Sequence, residues 1–254
     1  MSGKVYLVGA GPGAPDLLTL RAARLLGEAD VVLHDALVHA ETLALAARAE
    51  KIPVGKRCGR QSSAQRFINK RLVDAARRHP IVVRLKGGDP MLFGRAQEEI
   101  AALEKAGIEY EIVPGVTAAL AAAADLGTSL TQRGVARSVT FVTPRVGEGE
   151  APSGWARAVA AADTAVLYMA AGEAARVRDA LVDAGVARDM PVALVENASL
   201  EGFRSTTGSL GGLEALSATR GSGPAVILVG RALAAAASSQ DDAFSEAIAS
   251  AIAS

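Results

Sequence analysis

One cysteine, one tryptophan and three histidines among 254 residues set the first limits. Cys58 has no second thiol for an internal disulfide, the usage expected of a protein kept in a reducing cytoplasm. His34, His39 and His79 lack zinc-ligand spacing, so no metal site is expected. Aromatic residues make up only 4% of the chain, which leaves a core to be built mostly from Ala, Val and Leu. Net charge is absent too: 27 basic residues balance 27 acidic ones, an argument against a dedicated nucleic-acid binder. No apolar run approaches the about 20 residues of a membrane span. Met1-Ser2-Gly3-Lys4 leads directly into a strand-like run, so no signal peptide is expected. A G-x-S-x-G nucleophile elbow and repeats of solenoid period are both missing.

What remains is a chain that is 50% apolar, with strand-like runs alternating with Ala-rich stretches. That alternation predicts an α/β protein of parallel or mixed sheets covered by helices. In the first half the strands fall at Val5–Val8, Val31–His34, Lys51–Pro53, Ile81–Leu85 and Tyr110–Val113. Helices are expected near Thr19–Ala29, Ala40–Ala47, Ala64–Arg78 and Ala96–Ala106, ending at signals such as Pro80 and Gly107. The second half offers strands at Val139–Thr143, Ala165–Met169, Val192–Glu196, Arg204–Thr207 and Ala225–Val229, and a helix over Glu173–Ala184. Three regions result: an N-terminal α/β domain over 1–113, a C-terminal α/β domain over 114–236, and a flexible or weakly helical tail over 237–254.

Three glycine-containing turns end predicted strands. The first, "GAGPGAP" from Gly9 to Pro15, fits G-x-G-x-x-A and invites a nicotinamide or flavin reading. Its prolines argue otherwise. Pro12 and Pro15 each remove a backbone donor, and proline disfavours helical backbone at the residue before it. The helix is therefore delayed to around Asp16–Thr19, too late for its N–H groups to cradle a pyrophosphate. A rigid wall for a neutral or cationic ligand and a purely structural turn both remain open. The second turn, in "VVRLKGGDP", sets Asp89 at the carboxyl edge of a parallel sheet, where open α/β sheets bind ligands. Asp89 either faces that ligand or caps the helix that follows. In the third, "VPGVTAA", Thr117 is a candidate helix cap. The convergence of all three on one edge points to a binding cleft.

Charge is unevenly spread. Between Arg48 and Arg95 the only acidic residues are Glu50, Asp74 and Asp89, set among many Lys and Arg. Positive charge so focused in a neutral protein suggests a polyanionic substrate, with guanidinium groups pairing to carboxylates. Lys56, Arg57 and Arg60 lie on the Gly-rich segment "VGKRCGR", and Arg84, Lys86 and Arg95 flank the second loop. His34-Asp35, ending the second strand, is either an acid–base pair or an ordinary loop start.

The blocks "VYLVGAGPGAPDLLTL", "ADVVLHDALV", "VGKRCGR", "VVRLKGGDPMLFGR", "VPGVTAA", "SVTFVTPR", "VLYMA", "PVALVENAS" and "GPAVILVGRAL" occur in an order that resembles the uroporphyrinogen-III C-methyltransferases, within the S-adenosylmethionine-dependent tetrapyrrole methylases. The resemblance runs over about residues 3–233. It implies a two-domain α/β fold with the cofactor between the domains, and a homodimer. It also implies two methylations of uroporphyrinogen III, at C-2 and C-7, giving precorrin-2 for siroheme or cobalamin synthesis and S-adenosylhomocysteine as by-product. Carried over residue by residue, Asp35 is the proton acceptor and Lys56 the proton donor, and for the eight carboxylates of that substrate Arg57, Arg60, Arg84, Arg95 and Arg133 are the candidate clamps. The cofactor contacts are Pro12, Gly87, Gly88, Asp89, Leu92, Thr117, Ala118, Met169, Ala198 and Ala225.

Some positions depart from the family pattern. Ala36 stands where an arginine is common, Gln61 and Gln132 where histidines are, and Ala198 where glycine is. Another corrin-pathway C-methyltransferase of the same fold is the alternative enzyme; a nicotinamide oxidoreductase and a non-catalytic ligand-binding protein are the readings from other classes.

Overall fold

A computed structural model describes residues 3–55, 61–147, 149, 151 and 153–234, with the side chains of residues 61–64 excepted. Lys56, Arg57, Arg60, the side chain of Gln61 and the tail over 237–254 lie outside the described residues. The chain divides into two compact units, the first ending at Ala118 and the second beginning at Ala119.

Among the described residues of the first unit five strands alternate with four helices. They are β1 (Lys4–Gly9), α1 (Leu20–Glu28), β2 (Val31–His34), α2 (Ala40–Ala44), β3 (Glu50–Pro53), α3 (Gln61–Ala76), β4 (Ile81–Lys86), α4 (Ala96–Lys105) and β5 (Tyr110–Val113). The strands pair in the order β3-β2-β4-β1-β5, every pair parallel. A sheet covered on both faces needs near-continuous apolar strands, which is how Val31-Val32-Leu33 and Val82-Val83 read. Leu7, Val31, Leu33 and Val82 pack with Leu72 of α3 and with Ile100 and Leu103 of α4. Val8, Val32, Val83 and Leu85 face the other way, against Leu25 and Leu26 of α1. The chain thus leaves β1 towards one face and leaves the adjacent β4 towards the other, an arrangement that places a crevice at their carboxyl ends.

The delayed first helix follows the prolines. A short 3-10 turn occupies Pro15–Leu17, and α1 begins at Leu20, where the Thr19 side chain accepts from Ala22 N at 3.1 Å.

The second unit is mixed. After α5 (Ala118–Asp125), which starts at the boundary, come β6 (Val139–Val142), α6 (Trp155–Ala161), β7 (Thr164–Tyr168), α7 (Ala174–Asp183), β8 (Pro191–Glu196), β9 (Arg204–Ser209), α8 (Leu213–Ala218) and β10 (Ala225–Gly230). The order is β6-β7-β10-β8-β9; β6 and β7 are parallel and the remaining pairs antiparallel. Leu167, Leu194 and Ile227 pack with Leu181 and Leu213. Among the described residues no helix is long and apolar enough to cross a membrane.

Candidate active site

The three glycine turns of the first unit meet at the carboxyl ends of β1, β4 and β5, and they meet backbone to backbone. Ala10 N donates to Lys86 O at 2.7 Å. Gly11 and Gly88 exchange two bonds, Gly88 N to Gly11 O at 2.7 Å and Gly11 N to Gly88 O at 3.2 Å. A Cβ on Gly9 would lie 2.6 Å from Gly115 Cα and 2.7 Å from Gly88 O, so no side chain fits there. Gly11 and Gly88 also have φ of +71° and +66°, which glycine adopts without strain. Asp89 locks the junction: Oδ2 accepts from Gly115 N at 2.9 Å and Oδ1 from Met91 N at 2.8 Å. The helix that follows, α4, has Arg95 as its N-cap, so what Asp89 caps is its own turn and the neighbouring loop. Of the residues expected to touch a cofactor, Gly88, Asp89 and Thr117 belong to this junction; a Cβ on Gly88 would face Thr117 Cα at 3.9 Å. Gly87 is exposed, and a Cβ there would meet only Leu37 Cβ, at 3.6 Å. Pro12 and Leu92 are half-buried in the first and second loops.

Beside the junction, Asp35 follows β2 and is anchored from below by charge. Its Oδ1 accepts from Arg84 Nη2 at 2.5 Å, and its side chain is 32% exposed. Arg84 is almost wholly buried: Nε donates to Glu99 Oε1 at 2.9 Å and Nη1 to the carbonyls of Leu85 at 3.2 Å and Leu33 at 3.4 Å. Lys86 Nζ reaches both Glu99 oxygens at 3.2 Å, and Gln65 Nε2 lies 3.4 Å from Oε1. Burial opposes the charge on Arg84, but the Asp35 and Glu99 carboxylates outweigh it and hold its pKa above the ordinary value. For Lys86 burial wins, reinforced by the like charge of Arg84, and its pKa is lowered. The His34 ring contacts the main-chain oxygen of Asp35 through Nδ1 at 3.1 Å; the partner of the Asp35 carboxylate is Arg84 rather than His34.

The other candidate clamps sit at the surface. Arg95, at φ +54°, forms a two-point pair with Glu98 at 2.6 and 2.8 Å, and Arg133 is exposed in a turn closed by Gln132 and Ala136.

In the second unit, Met169, Ala198 and Ala225 come to one sheet edge. Antiparallel pairing sets the start of β10 beside the ends of β7 and β8, with Val226 opposite Tyr168 and Ala225 opposite Glu196. Met169 has φ +55° and is 46% exposed; Ala198 lies buried between Asn197 and Ser199, at φ +53° and +65°. Left-handed backbone at such residues persists only where the surroundings impose it, and it concentrates at ligand sites. Asn197 N donates to Pro224 O at 3.0 Å and Ser199 N to Asp125 Oδ2 at 2.6 Å. The buried Glu196 carboxylate accepts from Gly221 N and Gly223 N at 2.8 and 2.6 Å, fixing the turn before Ala225. Tyr168 Oη accepts from Ala119 N at 3.1 Å, in the first turn of α5.

Sequence reasoning passes over Glu99, Asp125, Tyr168 and Glu196. Glu99 alone carries a signal: it is a charge on the same helical stripe as Ala96, Ile100 and Leu103, the buried side of α4.

Comparison with known proteins adds a family. The model of the Tetrapyrrole (Corrin/Porphyrin) Methylases matches residues 4–214. A uroporphyrinogen-III C-methyltransferase of Pseudomonas aeruginosa is 46% identical over 213 residues, 84% of this chain and 86% of that protein. A siroheme synthase of Chromobacterium violaceum is 49% identical over 231 residues, 90% of this chain but 49% of that protein. The chain thus spans about half the length of the siroheme synthases it matches. In three dimensions it is similar to the uroporphyrin-III C-methyl transferase of Thermus thermophilus, crystallised with S-adenyl homocysteine. The TM-score is 0.79 at 41% identity, covering 92% of this chain and 100% of that one.

Proposed function

The chain belongs to the tetrapyrrole (corrin/porphyrin) methylases, and from that premise we propose that it methylates uroporphyrinogen III at C-2 and C-7, giving precorrin-2, with S-adenosylmethionine as donor. The observation that carries this reading is the tethered carboxylate of Asp35, one oxygen fixed by a buried arginine and the side chain one-third exposed, next to a junction of glycine loops.

The residues present suit the cofactor. Gly87 leaves space where a side chain would stand, and Ala198 and Ala225 keep a second edge small, as main-chain recognition of a ligand requires. By the resemblance alone, Pro12, Gly87, Gly88, Asp89, Leu92, Thr117 and Ala118 of the first unit and Met169, Ala198 and Ala225 of the second would hold it. When bound, S-adenosylmethionine supplies a sulfonium methyl that is already electrophilic, so no serine or metal-bound nucleophile is needed. The protein's own task is to orient the macrocycle, exclude water and take away the proton that the methylated ring must lose. Asp35 is the group for that proton: among the described residues only its Oδ1 is engaged, which leaves Oδ2 to act as base.

The eight carboxylates of the substrate call for cations. Arg133 and Arg95 are exposed, Arg95 while paired with Glu98, and suit that work, whereas Arg84 is buried and serves by holding Asp35. The roles of Lys56 as proton donor and of Arg57 and Arg60 as clamps rest on the resemblance alone. A homodimer acting in the cytoplasm completes the reading, and sedimentation equilibrium tests the dimer.

Anaerobic incubation with uroporphyrinogen III and methyl-labelled S-adenosylmethionine tests the function. Two labels per ring, at C-2 and C-7, are expected. No label, or label only on a later corrin precursor, refutes the assignment and favours another corrin-ring methylase.

A further inference from the structure

We propose that Glu99, on the buried side of α4, is a positioning residue for methyl transfer: its carboxylate fixes Arg84, and Arg84 fixes Asp35. The inference rests on the reading of Asp35 as proton acceptor. Glu99 is 0% exposed and accepts from Arg84 Nε, Lys86 Nζ and Gln65 Nε2, while the Arg84 Nη2 on the far side of the same guanidinium donates to Asp35. A planar guanidinium held at Nε by one carboxylate and at Nη1 by two carbonyls has no remaining freedom to swing. The position of Nη2, and with it Asp35 Oδ1, is therefore set from inside the core.

The charges make the same point. Arg84 and Lys86 are two buried cations, and Glu99 and Asp35 are the carboxylates that face them. Among the described residues of α3 only the neutral Gln65 reaches this cluster, in turn bonded to Asn69, and from β2 the His34 ring touches only the Asp35 main chain. Without the charge of Glu99, Asp35 becomes the sole counter-charge for both cations. Its carboxylate, already paired with Arg84, is then pulled towards both cations and away from the position that the Glu99–Arg84 tether sets. A leucine at position 99 would fit the apolar stripe of Ala96, Ile100 and Leu103; a carboxylate there is costly to bury unless its partners need it.

The test uses Glu99→Gln, which keeps the shape and removes the charge, and Glu99→Gln/Lys86→Met, which restores the balance of one cation and one anion. With uroporphyrinogen III and S-adenosylmethionine, Glu99→Gln is expected to lower kcat about tenfold or more while KM and the Kd for S-adenosylhomocysteine move less than about threefold. The double variant is expected to recover to within about threefold of the parent kcat. A folded Glu99→Gln with kcat within about twofold of the parent, or a double variant no faster than the single one, overturns the proposal. If Glu99→Gln does not fold, the double variant decides alone, by the same recovery or its lack. A cycle of urea unfolding with Asp35→Asn is independent of turnover. Asp35→Asn is expected to raise the unfolding constant about fivefold more in the Glu99→Gln background than in the parent, because there it removes the last counter-charge from two buried cations, and additive effects refute the coupling. Absence of any methylation by the parent chain sinks the proposed function instead, and leaves this cycle to decide the network.

Discussion

Replacing Gly115 by alanine adds one methyl group at the point where three loops touch. Its φ lies outside the left-handed region, so contact alone bars the side chain. The new Cβ would run into Gly88 O and stand 2.9 Å from Gly9 Cα, where carbon atoms ordinarily settle at about 3.5–4.0 Å. Both obstacles are backbone of neighbouring loops and no rotamer change relieves them. The β5 loop must withdraw by about 1 Å, which overpacking studies put at about 1–3 kcal/mol. Withdrawal also stretches the 2.9 Å bond from Gly115 N to Asp89, a charged acceptor worth about 1.5–3 kcal/mol. Together the change should destabilise the first unit by about 3–5 kcal/mol, read by urea unfolding. Calorimetry with S-adenosylhomocysteine should find the affinity lowered, because the same shift moves Thr117 and Asp89. Gly27, exposed in α1 with nothing within 4 Å of an added methyl, is the control: Gly27→Ala should stabilise by about 0.5 kcal/mol. A Gly115→Ala protein as stable as the parent, with unchanged binding, would refute the account of the junction.

Other expectations follow from single contacts. Asp35→Asn should cut turnover by about 10²–10⁴ while S-adenosylhomocysteine binding stays at the parent value, because it removes the base and leaves the glycine loops intact; retained turnover would remove Asp35 from the mechanism. Arg95→Ala should raise KM for uroporphyrinogen III by more than it lowers kcat, and an unchanged KM would exclude a carboxylate clamp there. The Arg137 N–H, then the Ser138 side chain and N–H, lower the Asp163 pKa below its ordinary 3.8. That carboxylate's contribution to stability is full above the unfolded value and is lost as pH falls through the lower folded one. The stability gap between the parent and Asp163→Asn should therefore close in acid, and a gap independent of pH would contradict the assignment.

Much of this fold is legible in the sequence because the first sheet is covered on both sides. Apolar runs such as Val82-Val83 read as buried strands when glycine and proline punctuate them, and the expected bounds of the five strands in that sheet differ from the observed ones by at most one residue, whereas α3 starts at Gln61 and ends at Ala76 rather than spanning Ala64–Arg78. The delay of α1 is readable from Pro12 and Pro15, since proline acts on local backbone. Helix α2 ends at Ala44 rather than Ala47, an Ala-rich stretch with no stop signal of its own. Strand direction in the second sheet is less legible. Nothing local in Ala225–Val229 says that this strand runs against both neighbours, because pairing is decided by connections elsewhere. The site divides in the same way. Asp35, Gly88 and Asp89 announce themselves by type and place, but the engagement of Arg84 depends on Glu99, fifteen positions away on another element. A basic residue in an apolar strand reads equally as a ligand clamp or a buried tether until its partner is seen.

The depth of that tether has a consequence for how solvent conditions act on the protein. Arg84, Lys86 and Glu99 have side chains no more than 3% exposed, so mobile ions cannot enter among them. Arg95 is 43% exposed, within reach of the ionic atmosphere that damps surface charges over about 10 Å at 0.1 M salt. Ionic strength therefore acts on one part of the proposed site and spares the other: if Arg95 captures a polycarboxylate, added salt weakens that capture, while the tether that orients Asp35 is insulated from it.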